Sequence, residues 1–133
     1  MERPGGPIPS HDGEEKWAGT AIAHEDSRAS AEGKGRTLTT EGQWEWGARG
    51  RKPEVPQDRT QPGEANTWQG LFPVVNQAED GFVGIAPVGC FEPNALVLYD
   101  LIGNLWEWTS DEYEGAPGSR VIKGGSWLCA PSY

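Results

Sequence analysis

A cysteine close to the carboxyl end of the chain has neighbours that suit a reactive thiol. Cys129 follows the glycine pair 124–125 and Ser126, so a flexible turn places a hydroxyl three residues before the sulfur. A thiolate in such a turn could act as a nucleophile or bind a soft metal ion. The residues just before Cys129 are apolar, however, and taken in isolation they favour the simpler interpretation of a small, buried hydrophobic residue.

Two groups of oxygen-bearing side chains could bind a hard cation such as calcium. Asn66 and Asp80 lie in stretches punctuated by glycine, and Asp100 is separated from Glu107 by the Gly103-Asn104 turn. Calcium takes six to eight oxygen ligands and accepts main-chain carbonyls beside one or two carboxylates. Neither group has the spacing of an EF-hand loop. The alternative, carboxylates that accept hydrogen bonds from nearby amides in turns, stays open.

The remaining metal-binding side chains give no further pattern. Cys90 and Cys129 are the only cysteines, which is too few for a disulfide framework, and we expect free thiols, although a bridge between them stays open. His11 and His24 are the only histidines, they lack the spacing of a helical metal pair, and we expect both at the surface.

Composition predicts a loop-rich fold with short elements. The 133 residues include 19 Gly and 11 Pro, and seven Trp can organise a small core where only 35% of residues are hydrophobic. The net charge of −9 argues against nucleic acid and anionic membranes as partners, and suits either a solvated acidic surface or carboxylates that bind calcium. The chain contains no 18-residue apolar run and no apolar signal-peptide core, which predicts a cytoplasmic protein.

The pattern of breakers and caps predicts two short helices in the first half of the chain. Residues 1–23 read as a poorly ordered N-terminal segment, and 24–133 as one domain. A first helix is expected over 24–32, with Gly33 able to end it. A second helix should begin at Thr40, which has capping-box spacing to Gln43, and should end near Gly50, with Trp44 and Ala48 on one face.

The second half offers few strand signals. A proline-rich loop is expected from 51 to 64. Residues 96–99 and 119–123 are the strong strand candidates, the second followed by the glycine turn. Together these elements predict an irregular α+β domain with little sheet.

Four stretches of this sequence resemble one known family. They are residues 70–76 (GLFPVVN), 79–82 (EDGF), 104–111 (NLWEWTSD) and 123–129 (KGGSWLC). These stretches resemble the formylglycine-generating enzymes, also called sulfatase-modifying factors. The likeness spans most of the chain and is most specific from 66 to 129. It implies an α+β, irregular, C-type-lectin-like fold, of which we expect this chain to be a partial copy, incomplete at both ends.

The resemblance also implies two calcium sites. For the first site it names Asn66 and Thr67 together with Asp80 and Phe82. For the second it names the side chains of Asp100 and Glu107 and the carbonyl groups of Gly103 and Leu105.

The resemblance further implies an oxidoreductase. Members of the family bind copper(I) between two cysteines and use oxygen to convert a cysteine in a Cys-x-Pro-x-Arg segment of a sulfatase to formylglycine. Cys129 matches the first copper ligand, and Ser126 matches a hydroxyl that lines the site. The second cysteine would fall at position 134, so we expect weak copper binding and impaired turnover in this chain. Two alternatives stay open: a non-catalytic, calcium-stabilised module that binds a peptide or glycan, and a fragment that does not fold alone.

Overall fold

The computed structural model describes residues 17–52 and 64–130, in which two helices and one small sheet are joined by long loops. Helix α1 spans His24–Gly33 and helix α2 spans Glu41–Arg49. Strand β1 spans Glu107–Glu112 and strand β2 spans Arg120–Lys123. These elements agree with an α+β domain of little regular sheet. Most of the predicted N-terminal segment 1–23 and of the predicted loop 51–64 lies outside the described residues.

Helix α2 begins and ends where its sequence predicts. The Thr40 hydroxyl accepts a hydrogen bond from the Gln43 main chain at 3.1 Å, and the Gln43 side chain accepts one from the Thr40 main chain at 2.9 Å. This reciprocal pair satisfies two N–H groups at the helix start. Gly50 follows the last turn with a φ of 61°, which a glycine adopts without strain. Trp44 and Ala48 are both buried, as their shared face predicts.

The sheet is a two-stranded antiparallel ribbon. Glu107 pairs with Lys123 and Trp108 with Ile122, and an irregularity follows before Glu112 pairs with Arg120. The prediction of a strand at 119–123 is confirmed by β2. Its partner β1 was not predicted, because an acidic, hydroxyl-rich sequence carries no alternation of apolar residues.

The prediction of a strand at 96–99 is wrong, because Asn94 organises this segment as a turn. The Asn94 side-chain oxygen accepts hydrogen bonds from the main chains of Leu96 at 2.9 Å and Leu98 at 3.2 Å. Val97 has a φ of 60°, which extended backbone does not allow. Local hydrogen bonding to an asparagine therefore overrides the β propensity of the apolar residues.

Tryptophan dominates the apolar core, as composition predicts. Trp68, Trp127 and Ala130 form a buried cluster against which Phe72 and Ile85 pack. The Trp68 ring stacks on Trp127 at 6.4 Å between centroids and meets Phe72 edge-on at 5.1 Å. The Trp68 main chain donates a hydrogen bond to the Cys129 carbonyl at 3.0 Å, so this cluster lies next to the predicted thiol site.

A second, polar core ties the loops together. The Asn66 side chain, 1% exposed, donates to the Gly84 carbonyl at 2.8 Å and to the Asn104 side-chain oxygen at 2.9 Å. That oxygen also accepts from the Ala86 main chain at 2.8 Å, and the Asn104 amide returns a bond to the Ala86 carbonyl at 3.1 Å. Buried polar groups are tolerated only when they are paired in this way.

Helix α1 is attached to the sheet by a buried histidine. The expectation that His24 lies at the surface is wrong, because its ring is 6% exposed and meets the Trp108 ring edge-on at 5.6 Å. Nε2 lies 2.9 Å from the Thr109 carbonyl, which can only accept, so Nε2 carries a proton. His11 lies outside the described residues. Within the described part of the chain, no helix combines the length and apolar character needed to cross a lipid bilayer.

Candidate functional site

The turn after strand β2 holds the Cys129 sulfur in a cradle of hydrogen-bond donors. The Ser126 main chain donates to the sulfur at 3.2 Å, and the Ser126 hydroxyl oxygen lies 3.9 Å from it. The Leu128 main chain donates to that hydroxyl at 3.2 Å, which leaves the hydroxyl proton free to face the sulfur. The structure thus brings Ser126 and Cys129 together, as the sequence predicts.

Two glycines shape this turn. Gly125 has a φ of 77°, and a methyl group on it would lie 3.2 Å from the Cys129 sulfur. Gly124 has a φ of 95°, and a methyl group there would lie 2.8 Å from the Leu101 carbonyl oxygen. Both positions therefore need glycine for conformation and for space.

The sulfur chemistry of the turn suits one ligand of a soft metal ion. Cys129 is half-buried and free, and Cys90 is free and exposed, so the expectation of free thiols is confirmed. No three His, Cys, Asp or Glu side chains gather into a metal site in the described residues. That finding leaves two site types to consider: thiolate coordination of copper(I), and oxygen coordination that includes main-chain carbonyls.

The first predicted calcium region is organised around the side chain of Gln69. The Gln69 amide nitrogen donates to the Asp80 carboxylate at 2.9 Å and to the Thr67 carbonyl at 2.6 Å. The other Asp80 oxygen accepts from the Phe82 main chain at 2.9 Å. The structure thus brings Thr67, Asp80 and Phe82 together, while the neighbouring Asn66 directs its amide nitrogen into the polar core.

Gln69 was not singled out from sequence, and the available signal was its position two residues after Thr67. Its amide nitrogen lies where a carboxylate and a carbonyl oxygen converge. Oxygens of these two kinds are calcium ligands. A cation could take the place of the amide nitrogen if the Gln69 side chain turned away, so the donor set fits a hard cation.

The second predicted calcium region contains two adjacent carboxylates near the surface of α2. The Asp100 oxygen Oδ2 accepts a hydrogen bond from the Gly89 main chain at 2.6 Å, while Oδ1 is buried without a hydrogen-bond partner. Glu107 Oε2 accepts from the Trp44 indole at 2.5 Å. Burial raises the pKa of Glu107 and the Asp100 charge adds to this, against the opposing effect of the Trp44 hydrogen bond.

This second region fits a hard cation. An unpaired buried carboxylate oxygen is costly, and so is the proximity of a second carboxylate, unless a positive charge lies between them. A divalent cation would remove both costs. Trp44 was predicted only to share a helix face with Ala48, and nothing in the sequence signals its bond to a carboxylate 63 residues later.

Gly103 and Leu105 lie in the loop between these carboxylates. Gly103 has a φ of 73° and forms an isolated parallel bridge with Asn66. A methyl group on Gly103 would lie 2.3 Å from the Asn66 carbonyl oxygen, so this close approach requires glycine. Leu105 follows Asn104 of the polar core and is half-buried. The two predicted calcium regions are therefore joined through Asn66.

A separate surface groove of about 850 Å³ lies between the start of α2 and the sheet. Glu41, Asp111, Tyr113 and Arg120 are among its lining residues. None of the predicted metal ligands or thiol-site residues lines it.

The chain is similar to one protein family over its whole length and to several known proteins over most of it. A family model described as "Sulfatase-modifying factor enzyme 1-like domain" matches residues 1–133. The chain is 42% identical over 132 residues to the formylglycine-generating enzyme of Bos taurus, covering 84% of this chain and 35% of that protein. It is 40% identical to the formylglycine-generating enzyme of Mycobacterium tuberculosis, covering 84% of this chain and 46% of that protein.

The chain is also similar to a protein named as inactive and to one solved structure. The chain is 45% identical over 112 residues to a Bos taurus protein named "Inactive C-alpha-formylglycine-generating enzyme 2", covering 80% of this chain and 37% of that protein. Among solved structures, PvdO from Pseudomonas aeruginosa matches with a TM-score of 0.63 and 26% identity, covering 84% of this chain and 51% of PvdO. The chain spans less than half the length of these curated relatives.

Proposed function

This chain belongs to the sulfatase-modifying factor enzyme 1-like family, and from that membership we propose that it acts in the activation of sulfatases. The proposed activity is that of an oxidoreductase that generates formylglycine from a cysteine of a sulfatase polypeptide. The observation that carries it is the turn at Cys129, where the sulfur accepts a hydrogen bond from Ser126 inside the family's matching segment. Relatives named formylglycine-generating enzymes at 40% and 42% identity support the same activity.

The proposed reaction takes place in a Cys-x-Pro-x-Arg segment of the sulfatase, where dioxygen is the oxidant. The CH2–SH group of the target cysteine becomes an aldehyde, and its sulfur leaves as hydrogen sulfide. Dioxygen takes two electrons from this carbon and two from an added thiol reductant, so that its two oxygen atoms are balanced by the aldehyde oxygen and one water. Cys129 would supply one thiolate to copper(I), and that ion, when bound, supplies the activation of oxygen. The protein itself would orient the Cys129 sulfur, through the hydrogen bond from the Ser126 main chain and the contact with the Ser126 hydroxyl.

We propose calcium as the second cofactor, with a structural role. The residues that would hold the first ion are Asn66, Thr67, Asp80 and Phe82. Those that would hold the second are Asp100, Gly103, Leu105 and Glu107. The unpaired Oδ1 of Asp100 supports the second ion, and the convergence of oxygens on the Gln69 amide supports the first.

The test is conversion of a synthetic Cys-x-Pro-x-Arg peptide by the purified protein with copper(I), a thiol reductant and oxygen, followed by mass spectrometry. We expect a mass loss at the peptide cysteine and retention of copper by the protein. Cys129→Ser should abolish both. Cys90→Ser removes the other, exposed thiol and should leave both unchanged.

Two results would contradict this proposal. One is conversion by Cys129→Ser at the wild-type rate, which would remove the sulfur from the chemistry. The other is a folded wild-type protein that leaves the peptide intact, which would instead support the non-catalytic binding module.

A further inference from the structure

We infer that Trp44 of helix α2 is a positioning residue for the calcium ion proposed at Asp100 and Glu107. In this role its indole N–H holds one oxygen of Glu107 and presents the other oxygen to the cation. The inference rests on the calcium part of the proposed function and is independent of the copper chemistry.

The contact between Trp44 and Glu107 is short and sheltered. Trp44 is 6% exposed, and its indole nitrogen lies 2.5 Å from Glu107 Oε2. An indole N–H can only donate, so it binds the ionised carboxylate and offers nothing to a cation. The bond therefore fixes the orientation of Glu107 and reserves Oε1, which accepts no hydrogen bond from the described residues.

Asp100 shows the same arrangement independently. The Gly89 main chain holds Oδ2 at 2.6 Å, and the buried Oδ1 has no hydrogen-bond partner. Each carboxylate is thus held by one donor through one oxygen, and each keeps its second oxygen unpaired. Two fixed carboxylates with unpaired oxygens form a preorganised pair of ligands for a hard cation.

Trp44 itself is held firmly enough to orient a ligand. Helix α2 is capped at Thr40, and the Lys123 ammonium of β2 lies 2.7 Å from both Glu41 and Glu45 on this helix. The Trp44 ring also lies beside Gly124, where an added methyl group would be 3.5 Å from Cζ2 of the indole. Groups that orient a metal ligand in this way affect affinity strongly even though they do not touch the metal.

The experiment compares Trp44→Phe with Trp108→Phe by calorimetric titration with calcium chloride, in the absence of copper and peptide. Phe keeps most of the apolar surface and removes the N–H donor in both variants. Trp108 donates to the Ile22 carbonyl at 2.9 Å and so is a matched control that does not bond to Glu107. We expect about 10- to 100-fold weaker calcium binding at the Asp100 and Glu107 site in Trp44→Phe. Trp108→Phe should bind calcium as the wild type does.

Wild-type calcium affinity in folded Trp44→Phe would overturn the inference, and so would equal weakening in both variants. If Trp44→Phe does not fold, the indole N–H resonances of the wild-type protein can be followed by NMR during the titration. The Trp44 resonance should shift as calcium binds, and no shift would overturn the inference. A wild type that binds no calcium would overturn it together with the calcium proposal. The peptide assay would remain a separate test of sulfatase activation.

Discussion

At Cys129 the decisive neighbours are main-chain groups, so the site depends on backbone shape more than on side-chain identity. The Ser126 N–H donates to the sulfur, and the residue before it, Gly125, has a φ of 77°. The nearest contact of a methyl group on Gly125 would be the sulfur itself, at 3.2 Å. A small substitution at Gly125 should therefore change the reactivity of the Cys129 thiol while the fold is retained.

We expect Gly125→Ala to slow alkylation of Cys129 by iodoacetamide several-fold, because the added methyl displaces the sulfur from its donor. It should also lower the free energy of unfolding by about 1–2 kcal/mol, the cost of placing an L-residue at positive φ. Gly118→Ala is the matched control, since Gly118 has a φ of 84° with no atom within 4 Å of the added methyl. Peptide mass spectrometry and urea unfolding measure the two effects, with Cys90 as internal reference.

The two glycine variants should be similar in stability and differ in alkylation rate. An unchanged Cys129 rate in Gly125→Ala would show that the turn does not tune the sulfur. A loss of rate in Gly118→Ala as well would point to a general change in the protein.

The residues of the candidate thiol site were easier to predict from sequence than the groups that hold the other candidate sites. Cys129 and Ser126 could be found because they share one short turn. Asn104 lies in one of the stretches that carry the resemblance, but its part in the polar core was not anticipated. Trp44 and Asn104 make their side-chain bonds to partners between 18 and 63 residues away. Pairings at that separation follow from tertiary structure and leave no local pattern.

At the scale of elements, local chemistry predicted the structure wherever a cap or an apolar run was decisive. Helix α2 was predicted from its cap and strand β2 from its apolar residues, whereas helix α1 was predicted from its acidic first turn, its alanines and Gly33. Strand β1 could not be, since its fully buried residue is Thr109, whose hydroxyl donates to the Val121 carbonyl at 3.0 Å across the ribbon. Its stability comes from its partner strand and from α1, which no property of its own sequence reveals.

Lys123 joins strand β2 to helix α2 and makes their contact sensitive to pH. The Lys123 hydrogen bond and charge lower the pKa of Glu45 below its ordinary 4.5. Burial alone would lower the pKa of Lys123, but bonds to Glu41 and Glu45 outweigh it and raise that pKa above 10.5. The contribution of Glu45 to the free energy of unfolding is thus present above pH 4.5 and is lost as pH falls through its folded-state pKa. That of Lys123 is present below pH 10.5 and lost as pH rises through its raised pKa.

We expect Lys123→Met to lower the free energy of unfolding by less than about 1 kcal/mol at neutral pH, because all three partners are partly exposed. The difference from wild type should shrink in acid, in strong base and in high salt. Urea unfolding at several pH values measures it. Lys52→Met, at an exposed lysine, should show no such profile. A difference that stays constant with pH would indicate lost packing of the lysine stem, without an ion pair.

At the scale of the whole molecule, loops carry most of the architecture and need something other than sheet to fix them. The Asn66 and Asn104 network is one such device within the described residues. The chain also has a net charge of −9, which opposes compaction through self-repulsion. Bound calcium would serve both needs, since it joins loops and neutralises carboxylates.

We expect calcium to raise the melting temperature of the wild-type protein. At 100 times the dissociation constant the gain is about 2.7 kcal/mol, which corresponds to several degrees. Asp100→Asn should remove the part of this gain that comes from the ion at Asp100 and Glu107, and keep the part that comes from the first site. In EDTA, however, the same variant should melt at or above the wild-type temperature, because it removes a buried charge that repels Glu107. Scanning calorimetry with calcium and with EDTA measures all four states.

Asp26→Asn, at an exposed position in the first turn of α1, is the matched control and should keep the calcium response. If Asp100→Asn responds to calcium as the wild type does, Asp100 is not a ligand. If it melts well below wild type in EDTA, the carboxylate has a structural role that needs no cation.

The loop that holds Asp100 and the turn that holds Cys129 meet through their main chains, where Gly103 donates to the Gly124 carbonyl at 2.8 Å. No flexible side chain lies between them to absorb a displacement. We therefore expect binding of the proposed calcium ion at Asp100 and binding of the proposed copper ion at Cys129 to be thermodynamically linked. By reciprocity, the factor by which bound calcium would change the affinity for copper(I) equals the factor by which bound copper(I) would change the affinity for calcium.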